Sequence, residues 1–299
     1  MISILVASYN VCQTIERCLN SLEQQTYQEF EVVIVDDCST DSTVPIIRNY
    51  IEKSKLVIRL YELRQNCGVS YVRNICIKNA KGSFFLFVDG DDWLSSNALE
   101  LLVGKQKEVD ADIVGCDFYI EGDKTKEIKL PIYNLKQAKE SAVAGIWSVV
   151  WRHLFKSSFI EKLGINFPEN LKAGEDYYFV VSSIVNSDRY SYVHECLYHY
   201  CVNNSNSLMH SLNIDAIIGQ KVSTEMIQNE IDYFTSKDVC IKRALEVRIL
   251  YTKKEMLKYS LRFFKLWNPA GFSAIINQNL NLCDKIKYIT FCLICKFVK

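Results

Sequence analysis

The sequence predicts an α/β protein: a doubly wound, mostly parallel sheet flanked by helices, with a helical C-terminal extension. Three observations carry that expectation. Residues 2–88 alternate strand-length apolar runs with stretches of helical periodicity, joined by short links. The first run, Ile2 to Ser8, is apolar enough for a strand buried on both faces. Aspartates collect where the second and fourth strands should end, the side on which open α/β sheets bind ligands.

In chain order, Ile2 to Ser8 is the first strand, and Val11, Ile15, Cys18, Leu19 and Leu22 then repeat at helical spacing. Glu31 to Val35 is the second strand. Ser42 through Lys53 is the second helix, with Pro45 in its first turn, where a missing N–H is tolerated. Leu56 to Leu63 is the third strand. Val69, Val72, Cys76 and Ala80 mark the third helix, with Gly82 placed to end it. Phe84 to Val88 is the fourth strand. Further on, the pattern predicts a helix over Asn97 to Glu108, a strand over Asp112 to Phe118 and an exposed turn or hairpin tip over Glu121 to Lys129. Residues 136–145 read as helix, Val149 to Phe155 as extended chain and Glu175 to Asn186 as helix. Tyr190 to Val193 and Leu197 to Val202 read as strands able to pair with each other. From Asn213 onward the pattern is helical or unclear.

Of 299 residues, 49% are hydrophobic and 23% charged, which allows a large core in one big domain or two ordinary ones. Lys+Arg and Asp+Glu balance at 35 each, so no global charge recruits nucleic acid and a phosphate site must be local. The 12 cysteines are scattered. Cys292 and Cys295 form a lone Cys-x-x-Cys pair in an apolar run, where packing or a membrane contact fits better than zinc. The first residues lack the pattern of a signal peptide, and no run approaches the ~20 apolar residues of a membrane span. A cytoplasmic protein with reduced thiols is expected.

Asp36-Asp37 directly follows Val32-Val33-Ile34-Val35, and Asp89-Gly90-Asp91-Asp92 directly follows Phe84 to Val88. Two acidic clusters at the carboxyl ends of parallel strands converge on one crevice. Carboxylates that close repel one another and call for a cation or hydrogen-bond donors. Hard ions such as Mg²⁺ or Mn²⁺ take oxygen ligands and bridge carboxylates to a diphosphate. Either cluster alone is also explained as a turn or a helix cap. A dinucleotide enzyme wants a glycine-rich first turn, and Ser8-Tyr9-Asn10-Val11-Cys12 has no glycine.

The residues resemble, in order and spacing, the motifs of family-2 glycosyltransferases. The segments are Ile2 to Asn10, Val35 to Ser42, Asn66 to Asn74, Ala80-Lys81-Gly82 and Phe87 to Trp93. The similarity is continuous over about the first hundred residues and patchy to about residue 210. It implies a GT-A fold, inversion at the donor sugar, a UDP-sugar donor and a Mn²⁺ or Mg²⁺ ion. Position by position, Ala7, Ser8 and Tyr9 would line the nucleobase pocket, with Tyr9 against the base. Asp37 would read a uracil ring nitrogen with Asp36 close by, Asp89 would hold the ribose, and Asp91 the metal, with Asp92 supporting it through water. Arg73 would face the same crevice, either touching donor phosphate or ribose or forming a structural salt bridge. Cys38 stands where a glycine is frequent in the family.

Gly174-Glu175-Asp176 resembles the family's Glu-Asp element at a helix start, with Asp176 as general base and Glu175 as the fallback. Both residues are equally suited to capping a helix. His210 follows the polar run Asn203 to Ser207, which resembles a late loop over the donor diphosphate, and is implied as a further metal or donor contact. Trp147 and Trp151 lie in the half expected to face the acceptor, where core packing is the default reading and sugar stacking the alternative.

The expected organisation is a catalytic domain over 1–212, with a nucleotide-sugar half over 1–105 and an acceptor half over 106–212, then a helical extension over 213–299. Leu257 to Trp267 and Lys285 to Lys299 mix Lys and Arg with aromatic and aliphatic residues. That composition suits a helix lying on the inner face of a membrane or one packed on protein. Partners implied are a nucleotide-sugar donor and a glycan or lipid-linked acceptor for polysaccharide synthesis, without nucleic acid. Two other readings stay open: a non-catalytic nucleotide- or glycan-binding homologue, and a metal-dependent nucleotidyl- or phosphoryl-transfer enzyme.

Overall fold

The computed structural model describes residues 1–202, 214–234 and 239–267. The first four strands are β1 (Ile2–Ser8), β2 (Phe30–Asp36), β3 (Ile58–Glu62) and β4 (Phe84–Asp89). They lie parallel in the order β3-β2-β1-β4. The helices between them are α1 (Ile15–Glu23), α2 (Thr43–Lys53) and α3 (Val69–Asn79). Every residue of β2 is buried, as the unbroken apolar run requires of a strand covered on both faces.

The second half adds β5 (Trp93–Leu94), α4 (Ala98–Val109), β6 (Ile113–Glu121), β7 (Lys126–Ile128) and α5 (Leu135–Val143). A 3-10 turn over Val150–Arg152 leads into β8 (His153–Lys156), α6 (Ser157–Leu163), α7 (Glu175–Val185) and β9 (Tyr190–Cys201). β8 runs antiparallel between β4 and β6, and β9 lies parallel to β6. Strands β1, β2, β3, β4, β6 and β9 therefore share one sense, opposed by β5, β7 and β8. α8 (Ile214–Phe234) packs on α7, and α9 (Val239–Trp267) on α8 and α5.

Since β1 has β2 on one side and β4 on the other, the strand order reverses there. The crevice at the carboxyl ends of β1 and β4 is the place such a sheet offers a ligand.

Several sequence expectations are corrected. Tyr190 to Val193 and Leu197 to Val202 are not a hairpin but one strand, β9, running parallel to β6 with a bulge where Cys116 pairs Val193 and Asp117 pairs Cys196. The exposed His194-Glu195 is the bulged pair. Val149 to Phe155 is only partly extended, its middle being the 3-10 turn. Gly82 does not end α3, which stops at Asn79. Its Cβ would sit 2.5 Å from the Ser3 backbone nitrogen, so glycine is needed there for close approach to β1. The nine cysteines among the described residues are all free. The Cys292–Cys295 pair and the tail from 268 lie outside the described residues, as do the side chains of Leu257 to Trp267. Among the described residues, no helix is long and apolar enough to cross a membrane.

Candidate active site

The ends of three adjacent strands bring the acidic motifs together. Ala7 pairs with Asp89 across β1 and β4, and Ser8 with Asp36 across β1 and β2. The Gly90 amide donates to the Ala7 carbonyl at 3.1 Å, and a Cβ on Gly90 would meet the Val11 side chain at 3.0 Å. Glycine between two aspartates lets β4 turn against β1 so that Asp89 and Asp91 both face one crevice. That crevice, of about 540 Å³, is lined by Ala7, Tyr9, Asp37, Arg73, Asp89, Asp91, Glu175 and Asp176, among others. Tyr9 stands at its rim, 46% exposed.

Asp37 is 4% exposed and held by the loop before α3. The Cys67 and Gly68 amides donate to its two carboxylate oxygens at 2.7 and 2.9 Å. Gly68, at φ +85°, supplies the left-handed turn that aims both amides at one carboxylate. Cys38 next to it has φ +63°, which explains why glycine is frequent at that place in the pattern it resembles.

Arg73 is 4% exposed and joins the two halves of the site. Its guanidinium donates to Asp89 at 3.3 Å, to Glu175 at 3.2 Å and, most closely, to Asp176. The structural salt bridge is thus the geometry observed, with the Phe167 ring 5.5 Å beneath the guanidinium. The neighbouring Asn74 fixes the loop ahead of the acidic pair. Its amide donates to the Phe167 carbonyl and to Glu169, both at 2.9 Å, and accepts from the Phe167 amide at 2.9 Å.

Glu175 and Asp176 occupy the first turn of α7, whose N-cap Gly174 has φ +84°. The Val150 amide reaches the second Asp176 oxygen at 3.4 Å. Burial raises the Asp176 carboxyl to about 7; Arg73 pulls it down, while Glu175 and Asp89 push it further up. A carboxyl with that affinity for protons suits a general base near neutral pH.

Two expected residues do not line the crevice. Asp36 turns into the β1–β2 loops, where the Ser8 and Ser39 hydroxyls donate to it at 2.8 and 2.6 Å and the Ser39 amide at 2.8 Å. Asp92 is likewise inward: the Tyr198 hydroxyl donates to one oxygen and the Cys201 amide to the other, both at 2.7 Å. Burial, then repulsion by Asp91 and Asp89, pushes its carboxyl well above the usual range. Direct metal contact by Asp92 does not fit this arrangement. His210 lies outside the described residues. The grip of Tyr198 and Cys201 on Asp92, and the place of Tyr200 in the crevice wall, carried no signal in sequence, since β9 lies about a hundred residues downstream.

The fit to a divalent ion is testable on these contacts. The charges of Asp91 and Asp89 disfavour ionisation of Asp92, a repulsion that a cation beside Asp89 and Asp91 relieves. Among the described residues no three His, Cys, Asp or Glu side chains group as a metal cage. Mg²⁺ or Mn²⁺ held by one or two carboxylates, with diphosphate and water completing the shell, needs none. The residues fit such an ion.

Known proteins share this sequence and shape. A family model described as Glycosyl transferase family 2 matches residues 3–163. The glycosyltransferase EpsJ of Bacillus subtilis (strain 168) is 32% identical over 221 residues, covering 70% of this chain and 62% of that protein. The poly(ribitol-phosphate) beta-N-acetylglucosaminyltransferase TarS of Staphylococcus aureus is 30% identical over 215 residues, covering 70% of this chain and 37% of that protein. The chain thus spans less than two thirds of the length of either. The crystal structure of S. aureus TarS 1–349 in complex with UDP-GlcNAc superposes with a TM-score of 0.65 at 23% identity, covering 95% of this chain and 77% of that one. The likeness gives the GT-A fold.

Proposed function

The chain belongs to glycosyl transferase family 2, and from that premise we propose that it moves a sugar from a UDP-sugar to a hydroxyl of a glycan or lipid-linked saccharide, with inversion, in polysaccharide synthesis. The single observation that carries the reading is the crevice itself. It sets Asp37, Asp89 and Asp91 at the strand ends, and Arg73 joins Asp89 to Asp176 on α7.

The roles follow from the positions. Asp37, fixed by two backbone amides, faces the nucleobase pocket between Tyr9 and the Asn66–Gly68 loop, where its remaining lone pairs accept from uracil. Asp89 lies next along the crevice, at the ribose. Asp91, with Asp89 beside it, would hold Mn²⁺ or Mg²⁺, which neutralises diphosphate charge when bound. Asp176 takes the proton of the acceptor hydroxyl as that oxygen attacks the anomeric carbon and the nucleotide diphosphate leaves from the opposite face. Arg73 orients Asp176, and Glu175 shares the guanidinium without needing to act as base. The catalytic unit is assigned to 1–212, and the helices from 213 on support it.

What supports a UDP-sugar is the TarS complex with UDP-GlcNAc together with Asp37 at the base-reading position. A panel of UDP-sugars incubated with Mn²⁺ tests the whole reading. UDP release from one donor, abolished by EDTA, with the product's anomeric proton of opposite configuration to the donor's, is expected. No release from any donor and no UDP binding by calorimetry would contradict it.

A further inference from the structure

We propose that the crevice wall formed by Trp147 and Tyr200, backed by the buried Trp151, is the acceptor subsite, and that it takes a neutral pyranoside in preference to a polyol-phosphate chain. The proposal rests on the transferase reading above and names the substrate class of that same site.

Trp147 has φ +50°. A bulky side chain is strained in the left-handed region, a strain that glycine or asparagine would largely avoid. The surroundings impose the conformation. The Gly145 amide donates to the Ala142 carbonyl at 2.9 Å and the Ile146 amide to Ser141 at 3.0 Å. Arg152, buried beneath, donates to the Trp147 carbonyl at 3.2 Å. From α9, Arg248 closes on the same turn, its guanidinium 2.7 Å from where a Gly145 Cβ would stand. The turn is braced on all these sides, yet the residue kept in the strained place is the one whose indole reaches the crevice.

The wall continues in stacked rings. Trp147 meets Phe118 edge to face at 4.8 Å, while Trp151 stacks on Tyr198 at 4.3 Å and on Tyr200 at 5.5 Å. It borders the base, since the Val150 amide, one residue before Trp151, reaches Asp176 at 3.4 Å. Indole and phenol faces suit the C–H face of a pyranose, leaving a ring hydroxyl for Asp176.

Charge decides against the other acceptor class. Next to this wall Glu175 and Asp176 face Arg73, the guanidinium they already share with Asp89, so the acceptor side keeps an excess of negative charge. A phosphate-bearing chain would enter against like charge, and such juxtaposition disfavours binding. A neutral ring meets no such opposition.

Saturation-transfer NMR with UDP and Mn²⁺ present tests this, using octyl β-glucoside, octyl β-galactoside, octyl N-acetyl-β-glucosaminide and a ribitol-phosphate tetramer. At least one pyranoside should receive saturation at its ring C–H protons, and the tetramer none. Trp147→Gly relieves the strained turn but gives up the packing on Phe118, so the control is UDP affinity, which should stay at the wild-type value while affinity for that pyranoside falls roughly tenfold, the worth of one aromatic stack. Trp147→Phe should retain most of the affinity. Binding of the tetramer in place of the pyranosides, silence from all the pyranosides, or pyranoside binding unchanged in Trp147→Gly would each overturn the proposal. So would displacement of the pyranoside by UDP-GlcNAc, which would put the ring in the donor site. UDP release by the wild type from UDP-sugars alone reads the transferase assignment separately.

Discussion

Arg73 offers one guanidinium to three carboxylates that arrive from strand β4 and helix α7, so the site carries net negative charge before any substrate enters. Removing a buried charge leaves its partners uncompensated. Arg73→Ala is expected to lose about 3 kcal/mol of stability, at the low end for a broken buried pair because Asp89 opens on the crevice. A fall in Tm checks it. Arg73→Lys keeps the charge but not the fork, and should recover part of the Tm while kcat stays depressed. The same electrostatics sets a pH dependence. As the proposed base Asp176 acts in its carboxylate form, and its raised affinity predicts that kcat/KM climbs as pH rises through about 7 and levels off above it. A profile flat from pH 5 to 9 would contradict that.

Helix α3 does two jobs with consecutive residues: Arg73 binds the acidic pair, and Asn74 ties down the loop that leads to it. Asn74→Ala leaves the Phe167 amide and carbonyl without those partners. It should cost about 1–3 kcal/mol and lower kcat more than donor affinity, as kinetics and UDP calorimetry would show. The elements that the sequence made legible are those with enough residues to display a period. The strands β1 to β4 and helices α1 to α3 were readable from continuous apolar runs and helical spacing with short links. The two-residue β5 and seven-residue α6 are too short for any period to emerge. The bulge in β9 broke the alternation at His194-Glu195 and imitated a turn. At the strand ends, neighbouring aspartates look alike in sequence, but successive side chains point to opposite faces. Asp37 therefore faces the crevice and Asp36 the loops behind it.

At the scale of the whole molecule, the C-terminal helices are part of the site's support. A Cβ on Gly219 of α8 would stand 2.3 Å from the Ala173 carbonyl, just ahead of Gly174 and the acidic pair. Gly219→Ala must push α8 from that loop, so a lower Tm and a reduced kcat are expected together, with UDP affinity less affected because Asp37 is held by the Cys67 and Gly68 amides and not by this loop. Thermal melts and calorimetry on the one variant check both halves. This coupling was hidden in the sequence, which shows α8 only as a helical pattern with a permissive glycine. The donor side was legible because each of its residues sits in a compact motif at a strand end. Trp147 and Trp151 stand out in the sequence too, but their meeting with Tyr200 in one wall does not, since it is made only through a strained turn and β9.

The most direct measurement is acceptor-dependent UDP release by the wild type and Asp176→Asn, with UDP affinity followed on the same samples. Asp176→Asn keeps the shape and removes the base, so kcat should fall by about 10²–10⁴ while UDP still binds as it does to the wild type. An Asp176→Asn protein that turns over near the wild-type rate would contradict the assignment of Asp176 and, with it, the direct displacement proposed here.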